Sequence, residues 1–222
     1  MTNNYDNIAR YYDVLSRVVF GSSQRDAQVA LLSYIPADSR ILIAGGGTGW
    51  ILEKIAAHAA PGLHIWYVEI SAKMLEQAKK KHYQPNNVTF IHQAIEDFRP
   101  AEAGVSQFDV IITPFLFDNF SAARITPVFM QLHHMLAPGG RWLFTDFHYQ
   151  QHTPFWQQVL LNTMYTFFRI ICKVEAGALE NVAPLFQSNG YSLTTECFYF
   201  GKFIRSAVYS KSLSAGILHT RH

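Results

Sequence analysis

The run Ala44-Gly45-Gly46-Gly47-Thr48-Gly49 constrains this chain more than any other feature. It follows the apolar stretch Ile41-Leu42-Ile43-Ala44 and leads into Trp50-Ile51-Leu52, whose spacing continues as a helix to residue 60, before Pro61-Gly62. Glycines at a junction between strand and helix let the backbone turn sharply and let a ligand approach the main chain. The free amides at the helix start favour negative charge. A nucleotide-like guest is the expectation.

The same rhythm repeats downstream. Strands are predicted at 41–44, 64–68, 88–91, 110–113 and 142–145, with helices at 49–60, 74–82 and 121–136 between them. Ser71 reads as a helix N-cap, and Pro138-Gly139-Gly140 as the break before the fifth strand. Strands alternating with helices imply a parallel sheet covered on both faces. Two helices, 8–18 and 23–34, precede this unit. After it come helices at 154–171 and 177–188, then strands 191–200 and 202–211, joined at Gly201 as an antiparallel hairpin. No repeat or linker divides the chain. The expectation is one domain over 1–222, with a helical cap (1–38), a ligand-binding core (39–150), and covering helices with the terminal hairpin (151–211).

Composition excludes several classes. At 49% hydrophobic over 222 residues the chain can bury a core, which removes disorder, collagen and disulfide scaffolds. The net charge of +2 is spread with no run of five or more like charges, which disfavours a nucleic-acid binder. Cys172 and Cys197 lack metal or redox spacing and are expected as buried free thiols. The polar amino terminus lacks a secretory pattern, and Gln157, Gln158, Asn162 and Arg169 interrupt the greasiest stretch, 155–172. That stretch falls short of a membrane span, so a cytoplasmic location is expected.

Spacing separates the ligands that a glycine loop can hold. A phosphate P-loop needs a glycine, four residues, then Gly-Lys-Ser/Thr, and no such run is present. The dinucleotide fingerprint needs a sixth-position glycine, where this chain has Trp50. What remains is Gly45-x-Gly47-x-Gly49. At the end of the second strand Glu69 lies 69 − 45 = 24 residues beyond the first loop glycine, where an acidic side chain is placed to accept from both ribose hydroxyls.

This loop resembles the first motif of class I S-adenosylmethionine (SAM)-dependent methyltransferases. The opening Tyr5-Asp6-Asn7-Ile8-Ala9-Arg10-Tyr11-Tyr12-Asp13 is similar to the amino-terminal signature of the ubiquinone/menaquinone-biosynthesis type, and Tyr12 takes the place of a tyrosine that approaches the cofactor there. Phe108-Asp109-Val110-Ile111-Ile112 resembles the family's fourth strand, and Met135-Leu136-Ala137-Pro138-Gly139-Gly140-Arg141 the turn before its fifth. The resemblance implies an α/β, Rossmann-like doubly wound sheet of seven strands, mostly parallel, ending in the antiparallel hairpin. It implies SAM as cofactor and S-adenosyl-L-homocysteine (SAH) as product. Its implied cofactor site is Tyr12, Ala44, Gly45, Gly47, Gly49, Glu69, Ile70, Met74, Gln93, Ala94, Ile95 and Thr113. Two positions depart: Ile43 and Ala94 stand where members often carry acidic residues, which leaves room for weak cofactor affinity or a non-catalytic binding module. A nicotinamide-dependent oxidoreductase is a further alternative, on fold alone.

Methyl transfer from a sulfonium is an in-line displacement that needs alignment more than acid–base machinery. In open α/β sheets ligands lie at the carboxyl ends of the strands, which places Thr113, Pro114, Phe115 and Asp118, and Asp146, His148 and Tyr149, beside the reacting methyl. His148 is the candidate general base and Asp118 the runner-up. His133-His134 do not share a helix face, so no metal site is expected. Phe115, Phe117, Phe120, Phe155, Trp156, Tyr165, Phe167 and Phe168 supply both core and pocket wall. They point to a small hydrophobic or aromatic methyl acceptor, with carbon or oxygen methylation favoured. Thr113-Pro114-Phe115 only partly echoes the tetrad of base methyltransferases, which again disfavours nucleic acid. The oligomeric state is left open.

Overall fold

The computed structural model describes residues 6, 12–148, 154–172 and 179–213, with side chains described except at 12 and 164–172. Its centre is a seven-stranded sheet in the order β3-β2-β1-β4-β5-β7-β6. The strands are β1 (Arg40–Ala44), β2 (His64–Glu69), β3 (Asn87–His92), β4 (Phe108–Pro114), β5 (Leu136–Phe147), β6 (Tyr191–Tyr199) and β7 (Ile204–Lys211). The first five are parallel, and β7 runs antiparallel between β5 and β6. The terminal hairpin is thus present, but its second strand is the inner one. The helices are α1 (Tyr12–Phe20), α2 (Ser23–Val29), α3 (Trp50–His58), α4 (Ala72–Ala78), α5 (Ala122–Met135), α6 (Phe155–Cys172) and α7 (Ala183–Ser188).

Both sheet faces are covered because the central strands are apolar on both sides. In β1, Leu42 and Ala44 belong to one core, with Phe129 of α5, Trp142 of β5 and Phe186 of α7. Ile41 and Ile43 belong to the other, with Leu52 and Ile55 of α3 and Leu75 of α4. Side chains alternate across a strand, so one sequence feeds two cores. Within the first core Phe186 stacks on Tyr209 at 3.7 Å between centroids and meets Trp142 edge-on at 5.0 Å. Such pairs add about 0.5–1.5 kcal/mol each beyond area burial. A bidentate pair joins the neighbouring strands, Arg40 donating to Asp109 through Nε at 3.0 Å and a terminal nitrogen at 2.7 Å.

Several element boundaries differ from those read in the sequence. Strand β5 begins at Leu136, with Pro138-Gly139-Gly140 inside it, and the register against β4 shifts between Phe108 and Val110. The expected break is therefore an irregularity within a longer strand. Helix α2 stops at Val29 and a short 3₁₀ turn, Leu32–Tyr34, completes the segment. Helix α4 ends at Ala78, before Lys79, Lys80 and Lys81. Cys197 is exposed, contrary to the expected buried thiol, because it lies on edge strand β6, most of whose residues are exposed. The Cys172 side chain lies outside the described residues. Among the described residues no helix is long and apolar enough to cross a membrane.

Candidate functional site

The strand order reverses between β1 and β4, and a cleft of about 320 Å³ opens at the carboxyl ends there. The glycine loop forms one wall. Gly45, Gly47 and Gly49 all take left-handed φ values, +71°, +66° and +80°. Their reasons differ. A Cβ on Gly47 would meet nothing within 4 Å, so this glycine keeps the backbone open to the cleft. A Cβ on Gly49 would lie 2.6 Å from Ala78, so it lets α3 start against α4. Gly46, not assigned a role from sequence, leaves space for the Tyr67 ring, whose atoms would lie 2.3 Å from a Cβ. The Tyr67 hydroxyl donates to the Gly47 carbonyl at 2.9 Å, bracing the loop from below.

Glu69 ends β2, is 4% exposed and lines the cleft. Its Oε2 accepts from Gly47 N at 2.9 Å and its Oε1 from Ser71 N at 2.8 Å. Burial pushes its carboxyl above the usual range, while these backbone amides pull the other way. Each oxygen keeps a further lone pair for a donor. Ser71 caps α4 by accepting from Met74 N, and its hydroxyl donates to Asp6 at 2.5 Å. That bond holds the Asp6 carboxyl below its ordinary range.

Ile70, Met74, Gln93, Ala94 and Ile95 line the same cleft. Gln93 donates its amide to the Asp97 carbonyl at 3.1 Å, within its own turn. Ala44 and Gly49 do not line it. Neither does Thr113, which is fully buried and accepts from the Trp142 indole at 2.9 Å. Tyr12 lies at the start of α1, but its side chain is outside the described set. Asp13, one residue on, was not singled out from sequence; it lines the cleft, and Thr48 Oγ1 donates to it at 2.9 Å. This contact ties α1 to the glycine loop across 35 residues, so no local pattern announces it.

Of the two candidate bases, only Asp118 lines the cleft. Desolvation, and then the charge of Asp146, push its carboxyl well up. Asp146 is 2% exposed and accepts from Phe117 N at 2.9 Å and Phe147 N at 2.8 Å. Burial raises it to about 7. His148 is absent from the cleft lining. Strand β5 runs on to Phe147, so His148 N pairs with the Phe203 carbonyl at 2.8 Å, and the ring packs on Phe198 at 5.0 Å. Desolvation and Arg205 lower its pKa. The expected base is thereby carried to the hairpin side. Tyr149 lies outside the described residues, as do the side chains of Tyr165, Phe167 and Phe168.

The cleft has apolar walls as well. Phe20, Phe115 and Phe147 line it, and the Phe147 ring packs on both others, with centroids 5.4 Å from Phe20 and 5.0 Å from Phe115. Phe115 adopts φ +50°, a strained value for a bulky residue, immediately after β4. Phe120 also lines the cleft, whereas Phe117 is core. Phe155 and Trp156 are exposed on α6. Among the described residues no group of three metal-binding side chains comes together.

Residues 41–140 match a family profile described as a methyltransferase domain. The chain is 29% identical over 167 residues to the ubiquinone/menaquinone biosynthesis C-methyltransferase UbiE of Geotalea daltonii, covering 74% of this chain and 67% of that one. By these matches the chain is similar to class I SAM-dependent methyltransferases. A malonyl-[acyl-carrier protein] O-methyltransferase of Halalkalibacterium halodurans is 33% identical over 107 residues, 48% of this chain and 38% of that protein. The chain spans 56–67% of the length of the first UbiE relatives it matches. The fold of the methyltransferase domain is shared with the N-methyltransferase NodS of Bradyrhizobium japonicum in complex with SAH. That structure superposes with a TM-score of 0.60 at 16% identity, covering 85% of this chain and 86% of that one.

Proposed function

We propose that this chain methylates a small, largely apolar acceptor at carbon or oxygen, using SAM held in the cleft between β1 and β4. The observation that carries this reading is Glu69. A buried carboxylate at a strand end, fixed by two backbone amides and still facing the cleft, fits a vicinal diol such as ribose. Gly47, open to the cleft, fits a ligand lying against the backbone. Ile70 and Met74 supply apolar contacts, and Gln93, Ala94 and Ile95 the edge suited to a base.

SAM supplies an electrophilic methyl on a sulfonium. The chain's own work is to align an acceptor, exclude water and take up a proton where one is released. Phe20, Phe115 and Phe147 form a wall suited to a flat apolar molecule. Asp118, at the same cleft, is the group placed to receive a proton, and it replaces His148 in that role. The relatives include a C-methyltransferase and an O-methyltransferase, which supports either acceptor atom. Every described strand belongs to one sheet, which supports one domain with α1, α2 and α6 as its cover.

The test is transfer of label from methyl-labelled SAM to a panel of phenolic, enolic and amine acceptors. Label on a carbon or oxygen of an apolar member is the expected result. SAH binding with no transfer to any member would instead mark a binding module.

A further inference from the structure

The cleft contains a buried polar group, without a donor to its oxygen among the described residues, that the cofactor reading does not use. Gln28 of α2 lines it and is 7% exposed. Its Nε2 donates to the Gln24 carbonyl at 3.2 Å, which fixes the amide's orientation, because only the NH₂ end can meet a carbonyl. Among the described residues no group donates to its Oε1. A buried carbonyl without a donor is costly, and an apolar side chain of the same size would avoid the cost. The chain nevertheless keeps a glutamine in a cleft whose lining also includes the apolar Val19, Phe20 and Leu160. The helix is firmly seated: the Ala27 carbonyl accepts from Ser206 Oγ at 2.5 Å, and Gln24 Oε1 accepts from the Ser16 hydroxyl of α1.

We infer that Gln28 determines specificity on the acceptor side, its Oε1 accepting a hydrogen bond from an O–H or N–H carried by an otherwise apolar, ring-bearing acceptor. This rests on reading the cleft as a methyltransferase site, and it adds a chemical requirement. The ring must carry a donor, since a bare hydrocarbon of equal shape leaves the amide oxygen unmet. Sites built around a hydrogen bond reject the analogue lacking it far better than apolar pockets reject an extra methylene.

Phenol and toluene test this, being nearly equal in shape and differing in the donor. Both are titrated into the protein with and without SAH, and into Gln28→Met, which keeps the volume and loses the carbonyl. The expected result is a fall of about tenfold in the phenol-to-toluene affinity ratio in Gln28→Met, the scale of one buried hydrogen bond. Gln28→Glu, which still accepts, keeps phenol preferred. A phenol-soaked crystal of the unaltered protein tests the same contact without substitution, with the phenol oxygen about 2.5–3.0 Å from Gln28 Oε1. An unchanged ratio, or phenol absent from the cleft or bound away from Gln28, overturns the inference. Failure of SAH to bind strikes instead at the methyltransferase reading.

Discussion

Glu69 holds the backbone of its own loop, and under the proposed function it also accepts from a diol in the cleft. Glu69→Gln keeps the shape but sets an NH₂ against Gly47 N or Ser71 N. We expect SAH affinity to fall by about 1.5–3 kcal/mol, the worth of a charge-assisted hydrogen bond, measured by calorimetry on the folded variant. Adjacent glycines separate stability from binding. Gly46→Ala drives a Cβ into the Tyr67 ring and should lower stability by about 1–3 kcal/mol in urea unfolding. Gly47→Ala meets open space, costs about 1–2 kcal/mol for the left-handed backbone, and also weakens SAH by obstructing the cleft. Glu69 was legible in the sequence because a carboxylate ending an apolar strand has little other use there. Gln28 and Asp13 were not, since a polar residue on an amphipathic helix looks the same whether it faces water or a cleft.

At the level of elements, the ends of β4 and β5 hold the Asp118 and Asp146 carboxyls in a poorly solvated corner. The folded protein keeps the Asp146 proton up to about pH 7, whereas an unfolded chain releases it near the ordinary value of 3.8. The folded state therefore binds more protons across that window, and stability must fall as pH rises through it. Asp146→Asn, whatever its absolute stability, should flatten this slope in urea titrations at pH 5 and pH 8; a slope equal to the parent's would remove Asp146 as its source. Thr113 belongs to the same strands but faces the core. Thr113→Val leaves the buried Trp142 indole without its acceptor, costing about 1–3 kcal/mol of stability with SAH affinity unchanged. Strand existence was readable from apolar runs, but the end of β5 was not. Its extension through Phe147 depends on pairing with β7, a partner some sixty residues on, and that extension moves His148 away from the cleft.

Over the whole molecule, sheet order puts the chemistry where it is. Strand β1 sends the chain outward to β2 and β3, and the return to β4 leaves the crevice between two strand ends. The glycine loop comes from one side and Phe115 to Phe120 from the other, close enough that a Cβ on Gly45 would lie 3.0 Å from Leu116. The alternation of strands and helices made this crevice predictable. The insertion of β7 between β5 and β6 was not, because a hairpin's sequence does not say which of its strands faces the sheet. The most direct test is a crystal structure with SAH bound: the account predicts both ribose hydroxyls on the Glu69 carboxylate, with the sugar beside Gly47. A ribose held by other groups, or a cleft that takes a nicotinamide dinucleotide and not SAH, would contradict it.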